Sequence, residues 1–265
     1  MDEDGCKIGQ RGLIKILKAH NISIKTNSDY IKIYHCNEDK FSGYDKFSCY
    51  WARLLAADGC VFSRHKNGEP TEFTIGLKDD YDTVKGLQDY LEYNGKIYEK
   101  KSNYDDGITY TLTVNCKAVV DSLINNFNIV PRKTLIYNPP QNIPENLQKY
   151  FLLGYIDGDG SLTYYSGIKN HVPEWKGFNL NITGTLEMIE FTRKVLNKPN
   201  IKAFQRRPEK HKNNWTLNIQ GNEQLYNILS WIYDDEEINC ICMQRKYNNW
   251  LILKSQIEEK RNNEK

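Results

Sequence analysis

Asp58 and Asp159 are the residues whose type and setting point most directly to chemistry. Each follows a mainly apolar segment, residues 51–57 and 152–158, and each is followed by a glycine. If both segments are helices that lie together, two carboxylates meet at the negative ends of two helix dipoles and repel each other. A divalent cation removes that conflict, and Mg²⁺ typically takes one or two carboxylates together with phosphate oxygens. The pair therefore predicts a metal site that acts on phosphate.

The two segments must be helices that pack closely for the aspartates to meet. Gly154 and Gly158 are four residues apart, as are Ala52 and Ala56 in the first segment. Residues at i and i+4 lie on one helix face, so each helix is predicted to carry a stripe of small residues. Two such stripes allow close backbone approach. Because one unusual element occurs twice, the chain is interpreted as two copies of one unit.

The paired segments resemble the LAGLIDADG motif of the homing endonucleases, in the single-chain form with two motifs. The second copy is close to the family pattern, whereas the first has Arg53 where a small residue is usual and Ala56 in place of the first acid. The final Asp-Gly is intact in both copies. Two ordinary buried helices that each end at a glycine are the simpler alternative.

The resemblance implies a divalent-metal-dependent endodeoxyribonuclease that makes a double-strand break in a long site on double-stranded DNA. Asp58 and Asp159 would bind the catalytic Mg²⁺ (or Mn²⁺), and the carbonyl groups of Gly59 and Gly160 are further candidate ligands. The metal would polarise the scissile phosphate and activate a water. Asp157 is expected to make local hydrogen bonds instead.

An Arg-Lys dipeptide occurs at the equivalent place in both repeats, as Arg132-Lys133 and Arg245-Lys246. The family carries a lysine near each active site at this position. By that resemblance, both lysines are predicted to be catalytic, as cations that neutralise the phosphate or position water. The two arginines are expected to contact the DNA backbone.

The remaining pattern predicts an α+β fold of two pseudo-symmetric αββαββα repeats with antiparallel sheets. The repeats span residues 45–138 and 145–265, the proline-rich linker spans 139–144, and an extension of unassigned role spans 1–44. Periodicity predicts helices at 12–20, 82–93, 116–127, 186–196, 223–233 and 243–258, and strands at 30–34, 61–65, 72–78, 96–101, 108–114, 162–165, 178–183, 201–207 and 215–220. The C-terminal tail is expected to fray.

Several strands alternate apolar residues with Thr, Asn or Gln, the residue types that read base edges. The two sheets are predicted to form a DNA-binding saddle with this polar face outward. A basic run, residues 193–212, has eight basic residues against one acid and is predicted to meet phosphates, with a solvated face as the alternative. The candidate DNA contacts are Arg64, Thr74, Lys78, Lys100, Arg132, Asn179, Asn181, Arg206, Arg207, Lys212, Asn218 and Arg245.

Composition fits a globular protein: the chain has 265 residues, of which 39% are hydrophobic and 26% charged, and its net charge is +2. It contains no 18-residue apolar run and no secretory start, which predicts a cytoplasmic or organellar-matrix protein. Seven cysteines, of which only Cys240 and Cys242 lie close in sequence, predict reduced thiols rather than a zinc site. A monomer that needs no protein partner is expected.

Two other functions remain open at this stage. A non-cutting nucleic-acid binder, such as an intron RNA maturase or a regulator, could use the same scaffold, although a binder need not keep both aspartates. An intein-borne endonuclease is the second, and the absence of a terminal His-Asn pair makes a whole intein the weaker reading. The resemblance itself implies an intron-encoded or free-standing homing gene.

Overall fold

A computed structural model describes residues 10–20, 34–64, 68–102, 105–169, 172–198, 201–205, 210 and 212–263. The chain divides into two compact units, residues 1–35 and 36–265. In the first unit, helix α1 (Gln10–Ala19) confirms the helix predicted there. Of the strand predicted at 30–34, residues 30–33 lie outside the described residues. No helix in the described part of the chain is long and apolar enough to cross a membrane.

The second unit contains two repeats with the predicted order of elements. The first comprises α2 (Lys46–Asp58), β1 (Gly59–Phe62), β2 (Glu72–Lys78), α3 (Tyr81–Tyr90), β3 (Ile97–Lys101), β4 (Ile108–Asn115) and α4 (Lys117–Phe127). The second comprises α5 (Gln148–Asp159), β5 (Gly160–Lys169), β6 (Val172–Gly184), α6 (Leu186–Val195), β7 (Ala203–Gln205), β8 (Trp215–Gln220) and α7 (Asn222–Ile232). Short helix α8 (Glu236–Asn239) and long helix α9 (Gln244–Asn263) follow.

Each repeat contributes one four-stranded antiparallel sheet, in the orders β1-β2-β4-β3 and β5-β6-β8-β7. The alternation predicted for β6 is confirmed, because Phe178, Leu180 and Ile182 are fully buried while Asn179 and Asn181 are partly exposed. In β8 the pattern is less regular, since the outward-facing Thr216 is also buried. The helices cover the apolar face of each sheet, which leaves the polar face uncovered.

Helices α2 and α5 form the centre of this unit, and every residue from 48 to 56 and from 150 to 157 is buried. A helix that is apolar on all sides must be surrounded by protein. Asp45 starts α2 with a capping box shared with Ser48. Asp235 links the starts of both helices, because it accepts hydrogen bonds from Lys46 and Tyr150.

Two sequence expectations are wrong in detail. The C-terminal tail does not fray at 258, since α9 continues to Asn263 and Arg261 pairs with Glu223 at 2.7 Å while stacking on Tyr226. The strand predicted at 201–207, the third of the second repeat, covers only Ala203–Gln205 among the described residues.

The linker is not a free tether. Pro139, Pro140 and Ile143 are buried, and the Tyr44 hydroxyl donates to the side chain of Asn142 at 2.7 Å. The connection between the repeats is therefore part of the packed unit.

Candidate active site

Helices α2 and α5 approach closely through the two glycines of α5. A β-carbon built on Gly154 would lie 2.3 Å from the backbone oxygen of Tyr50, and one on Gly158 would lie 2.1 Å from Cβ of Ala57. The predicted glycine stripe is thus at the interface. The predicted stripe of Ala52 and Ala56 is not what the glycines meet, because α2 presents the face that carries Tyr50, Leu54 and Ala57. Small residues lie on two neighbouring faces of α2, at Ala52 and Ala56 and at Ala57. The sequence alone could not show which of these faces contacts α5.

This packing brings Asp58 and Asp159 together at the ends of the two helices, as the sequence predicted. Partial desolvation and the charge of Asp159 raise the pKa of Asp58. Asp58 is exposed, and the Asp159 side chain is 35% exposed. Two neighbouring acids with access to solvent are the electrostatic arrangement that a divalent cation stabilises.

The donor set fits a cation that is completed by its substrate. Among the described residues, no three His, Cys, Asp or Glu side chains form a metal-binding group. Mg²⁺ does not need a cage of that kind, since it commonly keeps waters and binds one or two carboxylates plus phosphate oxygens. The two aspartates supply that partial set.

Lys133 and Lys246 occupy equivalent places beside the two aspartates, and both are buried. Lys133 lies in a single 3₁₀ turn (Lys133–Leu135) and donates to the backbone oxygen of Gly59. Lys246, in α9, donates to the backbone oxygens of Ile156, at 2.7 Å, and of Asp157. Each ammonium group therefore lies at the C-terminal end of one central helix, where the dipole favours a cation.

Burial lowers the pKa of both lysines, that of Lys246 to about 8. The Gly59 carbonyl, a predicted metal ligand, has one of its two lone pairs occupied by Lys133. These contacts give the lysines a structural role in addition to any catalytic one. The resemblance could not have indicated these contacts, because the acceptors are backbone carbonyl groups, which every residue type has.

Asp157 makes local hydrogen bonds, as expected. Its carboxylate is fully buried and accepts from the Tyr50 hydroxyl at 2.8 Å and from the Met243 backbone N–H at 2.9 Å. Burial raises its pKa to about 6. Asp157 therefore joins α2, α5 and the start of α9, and its Oδ1 has no partner among the described residues.

Arg53, the main departure from the motif, contacts the candidate site directly. It is 2% exposed, and its Nη2 lies 3.1 Å from Oδ2 of Asp159. Its guanidinium carbon lies 4.0 Å from the ring centre of Tyr155 and 5.3 Å from that of Tyr137. The sequence marked this position as unusual but gave no partner for it.

The sheets carry different polar pairs at equivalent positions. In the first sheet Ile75 pairs with Gly59, and in the second Ile182 pairs with Gly160, which aligns the two registers. The residues adjoining these isoleucines form cross-strand pairs on the outward face. These pairs are Thr74 with Thr113, 3.0 Å apart between hydroxyls, and Asn181 with Asn218, whose side chains bond at 2.6 Å.

No protein-family profile matches the chain, and no curated protein sequence matches it either. Solved structures do match. The I-LtrWI LAGLIDADG homing endonuclease bound to target DNA is 13% identical, with a TM-score of 0.55 over 84% of this chain and 92% of that one. I-SmaMI bound to cleaved DNA is 11% identical, with a TM-score of 0.53 over 83% and 91%. I-GzeII in complex with its DNA target is 13% identical, with a TM-score of 0.52 over 82% and 92%.

The chain has the LAGLIDADG endonuclease fold. The identities are too low to transfer individual residues, so the fold is what these matches establish. Helices α2 and α5 are the two LAGLIDADG helices of this fold, and each leads into the first strand of its own sheet.

On this LAGLIDADG scaffold, some of the side chains predicted to contact DNA are unpaired among the described residues, and others already form ion pairs within the protein. Arg132 and Lys100 are exposed, and no ion pair is recorded for them within the described ranges. Three other cations are exposed but already paired with acids. These are Arg64 with the buried Glu72, Lys78 with Asp105, and Arg245 with Asp80.

The asparagine contacts share one network. Asn218 donates both to Asn181 and, at 3.1 Å, to Asn179. The Asn218 amide donors are therefore used inside the sheet, whereas the amide donors of Asn179 and Asn181 have no partner among the described residues. Arg206 and Arg207 lie outside the described residues.

The basic run is not a single surface. Arg193 donates to the backbone oxygen of Ile201 at 2.6 Å and pairs with Glu190, so it holds a turn. Lys194 is exposed on α6, in the helical layer, whereas Lys212 is exposed in the turn before β8. A count of charges along the sequence could not show that part of the run lies on helix α6 and part lies beside the edge strand of the sheet.

Proposed function

We propose that the protein is a homing-type DNA endonuclease that cuts both strands of a long site by metal-dependent phosphodiester hydrolysis. The observation that carries this proposal is that Asp58 and Asp159 lie together at the ends of two closely packed LAGLIDADG helices, each end also bound by a buried lysine. The matched structures are homing endonucleases in complex with DNA, which supports the same reading. Each repeat contributes one acid, so that each strand of the DNA would have one acid at its cleavage position.

Asp58 and Asp159 would hold the divalent cations, Mg²⁺ or Mn²⁺, with one acid on the side of each DNA strand. When bound, the cation would supply Lewis-acid stabilisation of the phosphate and lower the pKa of a water. The protein's own part is to keep two carboxylates close at a fixed separation, which the helix contact through Gly158 does. Lys133 and Lys246 add positive potential at the helix ends, where the phosphate charge increases during reaction.

The sheets would bind the DNA through their outward faces. Thr and Asn side chains can pair with base edges in the major groove, and exposed cations such as Lys100 and Arg132 can meet phosphates. Because a Thr–Thr pair stands where the other sheet has an Asn–Asn pair, the two halves present different donors and acceptors. We therefore expect a non-palindromic target bound by one copy of the chain.

Selection of cleaved duplexes from a randomised library in Mg²⁺ would supply the target and test the function. With that target, Asp58→Asn and Asp159→Asn should each lose double-strand cleavage, while binding in Ca²⁺ changes less than about tenfold, because each removes charge from the site and not from the DNA-facing strands. Asp121→Asn is the matched control, since Asp121 is exposed on α4 and pairs with Lys117.

Three outcomes decide the matter. Cleavage by wild type and Asp121→Asn, lost in the two site variants, supports the proposal. Normal cleavage by either site variant would overturn the assignment of the acids. Specific binding without cleavage in any divalent metal would instead identify a nucleic-acid binder of the maturase or regulator kind.

A further inference from the structure

The two LAGLIDADG helices are chemically unequal at positions that face the same site. Arg53 in α2 is equivalent to Gly154 in α5, and Ala56 is equivalent to Asp157, when the Asp-Gly ends are aligned. Arg53 crosses to the acid of the other helix, Asp159. Gly154 has no side chain with which to return the contact. Asp58 makes no direct ion pair within the described part of the chain, although the more distant charges of Lys246, Arg53 and Arg245 act on it.

Arg53 is fixed where it lies. Its guanidinium is stacked against Tyr155 and is 2% exposed, so it cannot swing into solvent as a surface arginine would. Its Nε and Nη1 have no hydrogen-bond partner among the described residues. Arg53 also lines a cavity of about 120 Å³ whose wall includes Ala56 and Ala57, the small residues of the first motif.

A purely structural role does not account for this placement. A buried arginine loses its hydration, and a single bond to a partly exposed carboxylate returns only part of that energy. An apolar side chain of similar length would fill the same space between the two tyrosines without that penalty. What the arginine adds is one positive charge 3.1 Å from a carboxylate oxygen of the candidate metal site.

We propose that Arg53 makes the two halves of the active site unequal, because its guanidinium is bonded to Asp159 and not to Asp58, and therefore competes with a divalent cation more strongly at Asp159. This inference rests on the proposed metal-dependent function. A cation at Asp159 must share the carboxylate with the fixed positive charge of Arg53, and two positive charges held on one carboxylate repel each other. The Asp58 side therefore fills first, and at limiting metal one DNA strand is cut more slowly. Arg53 is a positioning residue that acts through Asp159.

Mn²⁺ titration of the full chain without DNA, followed by the electron paramagnetic resonance signal of free Mn²⁺, tests the inequality directly. Asp159→Asn leaves the Asp58 side, and Asp58→Asn leaves the Asp159 side. We expect the protein that retains Asp159 to bind Mn²⁺ about tenfold more weakly or worse. This comparison requires no change at Arg53, so it stands even if substitutions there impair folding.

Adding Arg53→Met to Asp58→Asn should then restore most of that lost affinity, whereas adding Arg53→Lys, which keeps the charge, should not. Arg261→Met is the control, because Arg261 pairs with Glu223 on the surface and its loss should leave Mn²⁺ affinity unchanged. Thermal melting verifies that each variant is folded. Equal Mn²⁺ affinities in the two Asp→Asn proteins, or no gain from Arg53→Met, would overturn the inference.

Strand-resolved cleavage separates this inference from the proposed function. In limiting Mg²⁺ one strand should lag in wild type, and Arg53→Met should bring the two strand rates together. If wild type cuts both strands at equal rates at every Mg²⁺ concentration, the inference fails while the endonuclease function stands. If wild type does not cut at all, the function fails, and the Mn²⁺ titration still reports on Arg53.

Discussion

Gly158 lies so close to Ala57 that a β-carbon built on Gly158 would be 2.1 Å from the β-carbon of Ala57. The residues that follow them, Asp159 and Asp58, owe their proximity to this contact. Real β-carbons do not approach to that distance, so any side chain at 158 must push the helices apart. The separation of the two acids therefore depends on the absence of a β-carbon at Gly158, the residue before Asp159.

Gly158→Ala should lower the free energy of unfolding by about 1–3 kcal/mol, which is typical of overpacking in a core. It should also slow cleavage, because the acids move apart. Denaturant unfolding and single-turnover cleavage measure the two effects. Gly43→Ala is the control, since a β-carbon there meets no atom within 4 Å. Equal stability of the two variants would show that the helices can shift without loss.

The lysine contacts predict a specific division between rate and stability. Lys133→Met and Lys246→Met should each slow cleavage at saturating DNA by roughly 10²–10³, the usual effect of removing one group that stabilises transition-state charge. Affinity for the duplex in Ca²⁺ should be nearly unchanged. Strand-resolved single-turnover assays measure the rates.

Lys85→Met removes an exposed lysine that pairs with Asp89 on α3, and it should leave the rate unchanged. If Lys133→Met or Lys246→Met melted at a lower temperature but cut DNA at the normal rate when folded, the ammonium groups would only stabilise the helix ends and would have no catalytic role.

The helices and strands could largely be predicted from the sequence, because most of them show a clear apolar period. The alternation in 178–183 and the Asp-Gly ends required no tertiary information. The helix face in contact could not be predicted, since Ala52, Ala56 and Ala57 are all small and only packing selects among them. The continuation of α9 was missed because Arg261 is held by Glu223, which lies on another helix.

Of the candidate site, repeated short motifs and the family resemblance indicate the two acids and the two lysines, and the structure places these residues near one another. Their catalytic role stays a prediction. The Arg53–Asp159 pair was not found, because it joins residues that are equivalent neither in type nor in position. The division of the basic run was also missed, as it depends on where helix α6 ends and the edge strand begins.

The pKa of Lys246, lowered by burial to about 8 from 10.5, predicts a stability that depends on pH. Below pH 8 the lysine is charged in both the folded and unfolded states, and the folded state carries the full desolvation penalty. Between pH 8 and 10.5 the unfolded chain binds more protons, so the contribution of this group to stability rises with pH. The full change is about 3 kcal/mol.

Urea unfolding in EDTA across this pH range, for wild type and Lys246→Met, isolates the group. The difference in free energy of unfolding between the two proteins should change in favour of wild type as pH rises from 8 to 10.5. A difference that stays constant with pH would mean that Lys246 keeps an ordinary pKa in the fold.

Only part of the basic run should contribute to DNA affinity. Lys202 and Lys212 flank the edge strand β7, whereas Lys194 lies in the last turn of α6 and Lys198 lies just after that helix. Replacing the first pair with Gln should reduce the slope of log K against log salt by about 0.9 per lost phosphate contact. Replacing Lys194 and Lys198 should leave the slope unchanged, and a reduction by the second pair alone would place the DNA on the other side of the molecule.

Along β6 and β8, residues that are constrained by folding alternate with residues on the outward face that are not. Residues such as Leu180 and Leu217 are enclosed by helices, while their neighbours Asn181 and Asn218 face away from the core. Tolerance to mutation should therefore rise and fall with a period of two residues in a deep mutational scan for folding. A protein built this way can change its outward residues over evolutionary time, or in a retargeting library, while the inward residues stay the same.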